Sequence, residues 1–144
     1  MKKFPQVYHS VTGKRSKRPA HSFWQSVHFA VQGITKAWQR EPNLQLQLVL
    51  YGLVLMLAWL LKLSVLKIAL LIIVATSVVI LELLNSALES LADALHPQHH
   101  DKIRDAKDMA AGAVLVMSFA AAIIGILLLA EPFFRVLAGI EQPL

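Results

Sequence analysis

The sequence contains no cysteine. Disulfides, thiolate metal sites and a thiol nucleophile are therefore excluded. The absence says little about redox compartment. Charge is scarce as well. Asp, Glu, Lys and Arg make up 16% of the 144 residues, against about 25% in a typical soluble domain. No G-x-x-x-x-G-K-[ST] occurs, so a nucleotide would not sit on a P-loop. No G-x-S-x-G occurs either. Residues 1–18 are polar and basic, with no apolar stretch beside a cleavage site, and do not read as a secretory signal.

What is abundant is apolar. The chain is 56% hydrophobic and its mean hydropathy is +0.57. That is too apolar for an ordinary soluble domain and points to the membrane. Three stretches qualify as spans. The first covers 44–61 and is interrupted only by Gln45 and Gln47. The second starts at 65, crosses by about 84 and continues as helix to 95. The third, over 108–130, has an uncharged run from Met109. Each approaches the ~20 residues a span needs. The link at 62–64 is short, so the first two spans form a tight helical hairpin. Residues 96–107, HPQHHDKIRDAK, read as a polar loop with a helix-stopping Pro97.

An amphipathic helix is predicted ahead of the first span, over 22–40. Phe23, Trp24, Val27, Ala30, Val31, Ile34 and Trp38 fall on one side, and Gln25, His28, Gln32, Thr35, Lys36 and Gln39 on the other. Two tryptophans and a basic polar face suit a helix lying in the membrane interface. The alternative is a surface helix packed on protein. Glu41-Pro42-Asn43 breaks it where the chain turns inward. The fold class is thus an all-α membrane protein: three transmembrane helices preceded by an amphipathic interfacial helix.

Basic residues orient it. Eight of the 14 Lys and Arg precede the first span, three lie in the second loop, and the C-terminal tail holds only Arg135. The positive-inside rule places the N-terminus and the 96–107 loop in the cytoplasm, with the C-terminus outside.

Most informative is the end of the second span, ELLNSALESLAD. Glu82, Asn85, Glu89 and Asp93 are spaced i, i+3, i+7, i+11. At about 100° per residue they share roughly 80° of arc on one helix face. Ionisable groups at membrane depth mark functional sites by default. Glu82 lies 17 residues beyond Val65, or ~25 Å along the helix, near the cytoplasmic edge of a ~30 Å core. That depth suits a general base for a lipid hydroxyl. Glu89 and Glu41 offer hard oxygen ligands for Mg²⁺ beside phosphates. Lys107 and Asp108 open the third span on the same side, where a lysine and a helix N-terminus favour phosphate. His96, His99 and His100 are more simply polar loop residues than a metal cluster. The bland alternative for the row is polar glue between helices. On that reading the chain is a non-catalytic membrane cation-binding or assembly protein.

E-x-x-N-[ST]-A-x-E over 82–89, a short loop with histidines, then A-K-D-M-A-A-G-A-V-L over 106–115 resembles the prokaryotic diacylglycerol kinase family, which includes undecaprenol kinases. The similarity runs from about 23 to 129. It implies a small three-span enzyme that associates as a homotrimer. It also implies transfer of the γ-phosphate of ATP, with Mg²⁺, to a lipid alcohol, and no nucleic-acid partner. The lipid kinase domain is then 21–132, between a disordered basic tail at 1–20 and a C-terminal tail at 133–144. The resemblance implies Glu82 as catalytic base and Glu41 and Glu89 as holders of the nucleotide's metal. Gln98, His99, His100, Lys107 and Asp108 become nucleotide contacts, and Asn85 an active-site asparagine. Departures are Ser22, where an arginine is expected (Arg18 being the other candidate), and Phe29, where a tyrosine is frequent. Undecaprenol-kinase-like members often show E-x-N-x-x-x-H after the amphipathic helix. EPNLQLQ keeps Asn43 and puts Gln47 in place of the histidine, which leans toward a polyprenol over diacylglycerol.

Overall fold

The computed structural model describes residues 22–95 and 100–139. The expectations placed on the 1–20 tail, Arg18, His96, Gln98 and His99 fall outside those residues. The described residues form four helices: α1 (Phe23–Arg40), α2 (Pro42–Leu60), α3 (Val65–Leu95) and α4 (Asp101–Leu137).

Helix α1 starts at a capping box. The Ser22 hydroxyl accepts from the Gln25 N–H at 3.3 Å, and the Gln25 side-chain oxygen accepts from the Ser22 N–H at 3.0 Å. Each satisfies a donor that the first helical turn leaves unpaired. Ser22, the departure noted above, is here a helix cap. None of α1 is buried, and Phe23, Trp24, Val27, Val31, Ile34 and Trp38 stay exposed. Its apolar stripe is therefore left largely uncovered by this chain.

The corner into α2 is built by Glu41, whose backbone is extended (φ −110°, ψ 99°), and by Pro42 at the first helical position. Proline suits that place because its fixed φ is helical and its missing N–H is not needed. Gln45 Nε2 donates to the Trp38 carbonyl at 2.7 Å and ties α2 back to α1.

The α2–α3 hairpin closes on a Schellman motif. Leu63 N–H donates to the Ala58 carbonyl and Lys62 N–H to that of Trp59, both at 3.0 Å. Lys62 takes φ 50°, a place where glycine is usual. Leu63 then packs into a buried cluster with Ala58, Leu61 and Leu71, against which Leu128 and Leu129 of α4 lie. This is the main apolar core, and it sits at the hairpin end.

Helix α3 is central and touches α1, α2 and α4. Helices α2, α3 and α4 are each long and apolar enough to cross a membrane. Most of their large apolar side chains face outward, as lipid-facing surfaces do. Helix α4 exceeds the expected 108–130 at both ends. Residues 101–107, expected as loop, are helical, with Asp101 in the first turn where the helix dipole favours an anion. At the other end the helix continues through Pro132 to Leu137, and Gly139 (φ 66°) follows it.

Candidate active site

Glu82 is 3% exposed and lies in the interior of α3. A buried carboxylate is costly unless something donates to it. Gln47 of α2 does so: its Nε2 lies 3.0 Å from Glu82 Oε2. Because an ionised carboxylate only accepts, the amide must turn its NH₂ to Glu82 and its oxygen elsewhere. Gln47 Oε1 is then buried with no partner. One turn further, Ser86 is 7% exposed and its hydroxyl is also unpartnered.

The next two residues of the row form a pair. Asn85 Nδ2 donates to Glu89 Oε1 at 3.0 Å, as an i,i+4 spacing permits. Asn85 Oδ1 is left buried and unpartnered. The fourth residue, Asp93, is exposed and accepts from Lys107 Nζ at 2.8 Å. Lys107 stands in the polar turns of α4 ahead of the apolar run. The hydrogen bond from Asp93 holds its ammonium above the ordinary lysine pKa, with the Asp93 and Glu89 charges adding and burial opposing.

The expected site residues are thus joined in pairs. Gln47 meets Glu82, Asn85 meets Glu89, and Lys107 meets Asp93. Glu41 is half-buried at the α1–α2 corner, and Asn43 is exposed one turn before Gln47. Asp108 is exposed beside Lys107, and His100 is exposed at the N-cap of α4. Among the described residues no three His, Asp or Glu side chains gather into a metal cage. The donor set still fits Mg²⁺. That ion takes one or two carboxylates plus substrate phosphates, not an all-protein cage. Glu89, beside an orphaned Asn85 oxygen, supplies hard oxygens of that kind.

Sequence reasoning did not join Gln47 to Glu82, nor Asp93 to Lys107, and it passed over Ser86. The signal for Ser86 was available: it is four residues after Glu82, on the same helix face.

The pairs stand at the polar end of three apolar helices, and comparison with known proteins assigns them a family. The sequence model described as prokaryotic diacylglycerol kinase matches residues 28–129. The chain is 37% identical over 113 residues to a diacylglycerol kinase of Synechocystis, covering 78% of this chain and 65% of that protein. It is 32% identical to an undecaprenol kinase of Bacillus subtilis, over 80% of this chain and 94% of that protein. It is 31% identical to a diacylglycerol kinase of Escherichia coli, over 73% and 86% respectively. The chain belongs to the prokaryotic diacylglycerol kinase family of membrane lipid kinases.

Proposed function

We propose that the protein transfers the γ-phosphate of ATP to the hydroxyl of a membrane lipid alcohol, with undecaprenol favoured over diacylglycerol. The observation that carries the reading is Glu82. It is a buried carboxylate at the end of an apolar span, held by one amide and paired with no cation among the described residues. A carboxylate so placed is a base within reach of a hydroxyl at the same depth.

The lipid hydroxyl lies beside Glu82 and loses its proton to the free carboxylate oxygen. The lipid oxygen forms a bond to the γ-phosphorus, the bond from that phosphorus to the β–γ bridging oxygen breaks, and ADP leaves. Gln47 orients Glu82 for the proton transfer. Glu41 and Glu89 would hold the magnesium that accompanies ATP, which would supply charge neutralisation at the phosphates. Lys107 and Asp108, with Gln98, His99 and His100, contact the nucleotide. Such catalysis is mainly positioning and charge neutralisation. The exposed apolar stripe of α1 supports a place in the membrane interface above the site. The many outward apolar residues of α2–α4 leave room for the homotrimer that the family resemblance implies. The basic residues before α2 support a cytoplasmic N-terminus and 96–107 loop, in an inner or plasma membrane.

The test is direct. The chain is purified in detergent, and transfer of label from γ-labelled ATP is followed with Mg²⁺, in parallel on diacylglycerol and undecaprenol. Label should enter a lipid phosphate, more of it on undecaprenol, and chelation should stop it. Absence of transfer to either lipid would leave a non-catalytic membrane protein on the same scaffold.

A further inference from the structure

An apolar groove of about 660 Å³ runs between α2, α3 and α4. One end is marked by Gln47, the residue that holds Glu82. The other is marked by Phe133 and Phe134, which stand edge to face with ring centroids 5.9 Å apart. Between them the wall is almost wholly apolar, and on α4 it is made of small residues such as Ala121, Ala122 and Gly125. Tyr51 lines it too, but its hydroxyl is already engaged by Thr76 at 3.2 Å.

The register of α3 against α4 gives the groove a depth. Lys107 pairs with Asp93. Glu82 lies eleven residues before Asp93, and Ser118 lies eleven residues after Lys107 on the opposing helix. Ser118, also in the groove wall, is therefore level with Glu82. From Ser118 to Phe134 is sixteen residues, or ~24 Å at ~1.5 Å each. One leaflet is half of a ~30 Å hydrocarbon core, or ~15 Å. The groove starts level with the carboxylate, at Gln47, and passes well beyond the midplane. An acyl chain whose ester head sits at the interface fills its own leaflet and has no use for the far part. A single longer chain does.

The far end lies beyond the family match. Phe133 and Phe134 lie past residue 129, where the family match stops. They are carried by a helical extension in which Pro132 is buried and Arg135 donates to Glu131 at 2.6 Å. We infer that this groove holds the hydrocarbon chain of the lipid alcohol, that the chain is a polyprenyl chain longer than one leaflet, and that Phe133 and Phe134 form its far stop. The inference rests on the lipid-kinase reading for the place of the hydroxyl. Continuity of the groove with the Gln47–Glu82 pair is what selects a substrate chain as its occupant.

Two readouts test it on the full chain in mixed micelles. The first needs no turnover. Undecaprenol bearing a photoactive group partway along its chain is irradiated with the protein, and the labelled peptides are mapped. Label on residues 121–134, lost when excess undecaprenol is added, supports the groove. Label confined to outward residues such as Leu115 and Val116 overturns it. The second readout is the ratio of kcat/KM for undecaprenol to that for farnesol, a short prenol. A Cβ built on Gly125 meets nothing within 4 Å, so Gly125→Leu fills the groove without a backbone clash. The ratio should exceed ten in the parent and fall about tenfold in Gly125→Leu. It should be unchanged in Leu127→Ala, whose side chain lies on α4 outside the groove and faces outward. An unaltered ratio in Gly125→Leu overturns the proposal. So does a changed oligomeric state in that variant with both prenols affected alike, which would make the groove a seat for a second copy. Photolabelling of the groove without phosphate transfer would sink the kinase reading and leave the groove standing. Transfer without groove labelling would do the reverse.

Discussion

Gln47 and Glu82 are thirty-five positions apart in sequence and meet at 3.0 Å where α2 passes α3. The amide and the carboxylate depend on each other. Glu82 is 3% exposed and accepts from no other side chain among the described residues. Gln47 spends its NH₂ on that contact and keeps a buried, unpartnered oxygen. That oxygen can only accept, so it cannot compete with Glu82 for the amide's own protons.

Glu82→Gln should insert and fold but lose nearly all phosphate transfer. The amide keeps the shape and removes the base, a loss typically of roughly 10²–10⁴-fold. Turnover within a few-fold of the parent, in protein of unchanged helical content, would remove Glu82 from that role.

Gln47→Leu should lower stability as well as rate. It preserves bulk but strips Glu82 of its donor, and an unsatisfied buried polar group costs about 1–3 kcal/mol. Thermal denaturation in detergent reads the first effect. An unchanged Tm would mean that water or lipid already serves Glu82.

The spans are legible in sequence because runs of apolar residues are the strongest signal a chain carries. The pairing of Asn85 with Glu89 is legible for a similar reason, since helical spacing fixes it. Gln47 on Glu82 is different. It depends on how α2 crosses α3, and no local pattern contains a crossing angle. The ends of α4 are obscured by chemistry that misleads. Residues 101–107 are polar, which reads as loop, yet Lys, Arg and Ala are strong helix formers. Beyond 130 stands Glu131-Pro132, and proline lacks the N–H that would bond the carbonyl of Leu128. The helix nonetheless continues, with Pro132 buried and Glu131 tied to Arg135.

Glu89→Ala or Glu41→Ala should weaken nucleotide binding, and added Mg²⁺ should partly restore it. Each change removes a hard oxygen ligand, and mass action compensates part of the lost affinity. Titration of the Mg²⁺ requirement checks this. If it is unchanged in both variants, the metal lies elsewhere.

Topology can be read cleanly because the chain has no cysteine of its own. A cysteine at Lys102 should react only from the cytoplasmic side and one at Ser64 only from outside. Both positions are exposed. Labelling of Lys102→Cys from outside would invert the arrangement and separate Lys107 from cytosolic ATP.

Asn43 bears on substrate choice. It stands exposed in the first turn of α2, four residues before Gln47 and so on the same helix face. Here the lipid head would pass on its way to Glu82. A polar site selects the hydroxyl it can hold, because an unpaired polar group in a low-dielectric site is costly. The specificity constant should be higher for undecaprenol than for diacylglycerol, with turnover of both. Asn43→Ala should narrow that gap chiefly by lowering the undecaprenol value. The groove below Gln47 sets chain length, so the two determinants separate: Asn43→Ala should leave the preference for long over short prenols intact. A mixed-micelle assay in which diacylglycerol is preferred tenfold by the parent would reverse the assignment of substrate while leaving Glu82 as the base.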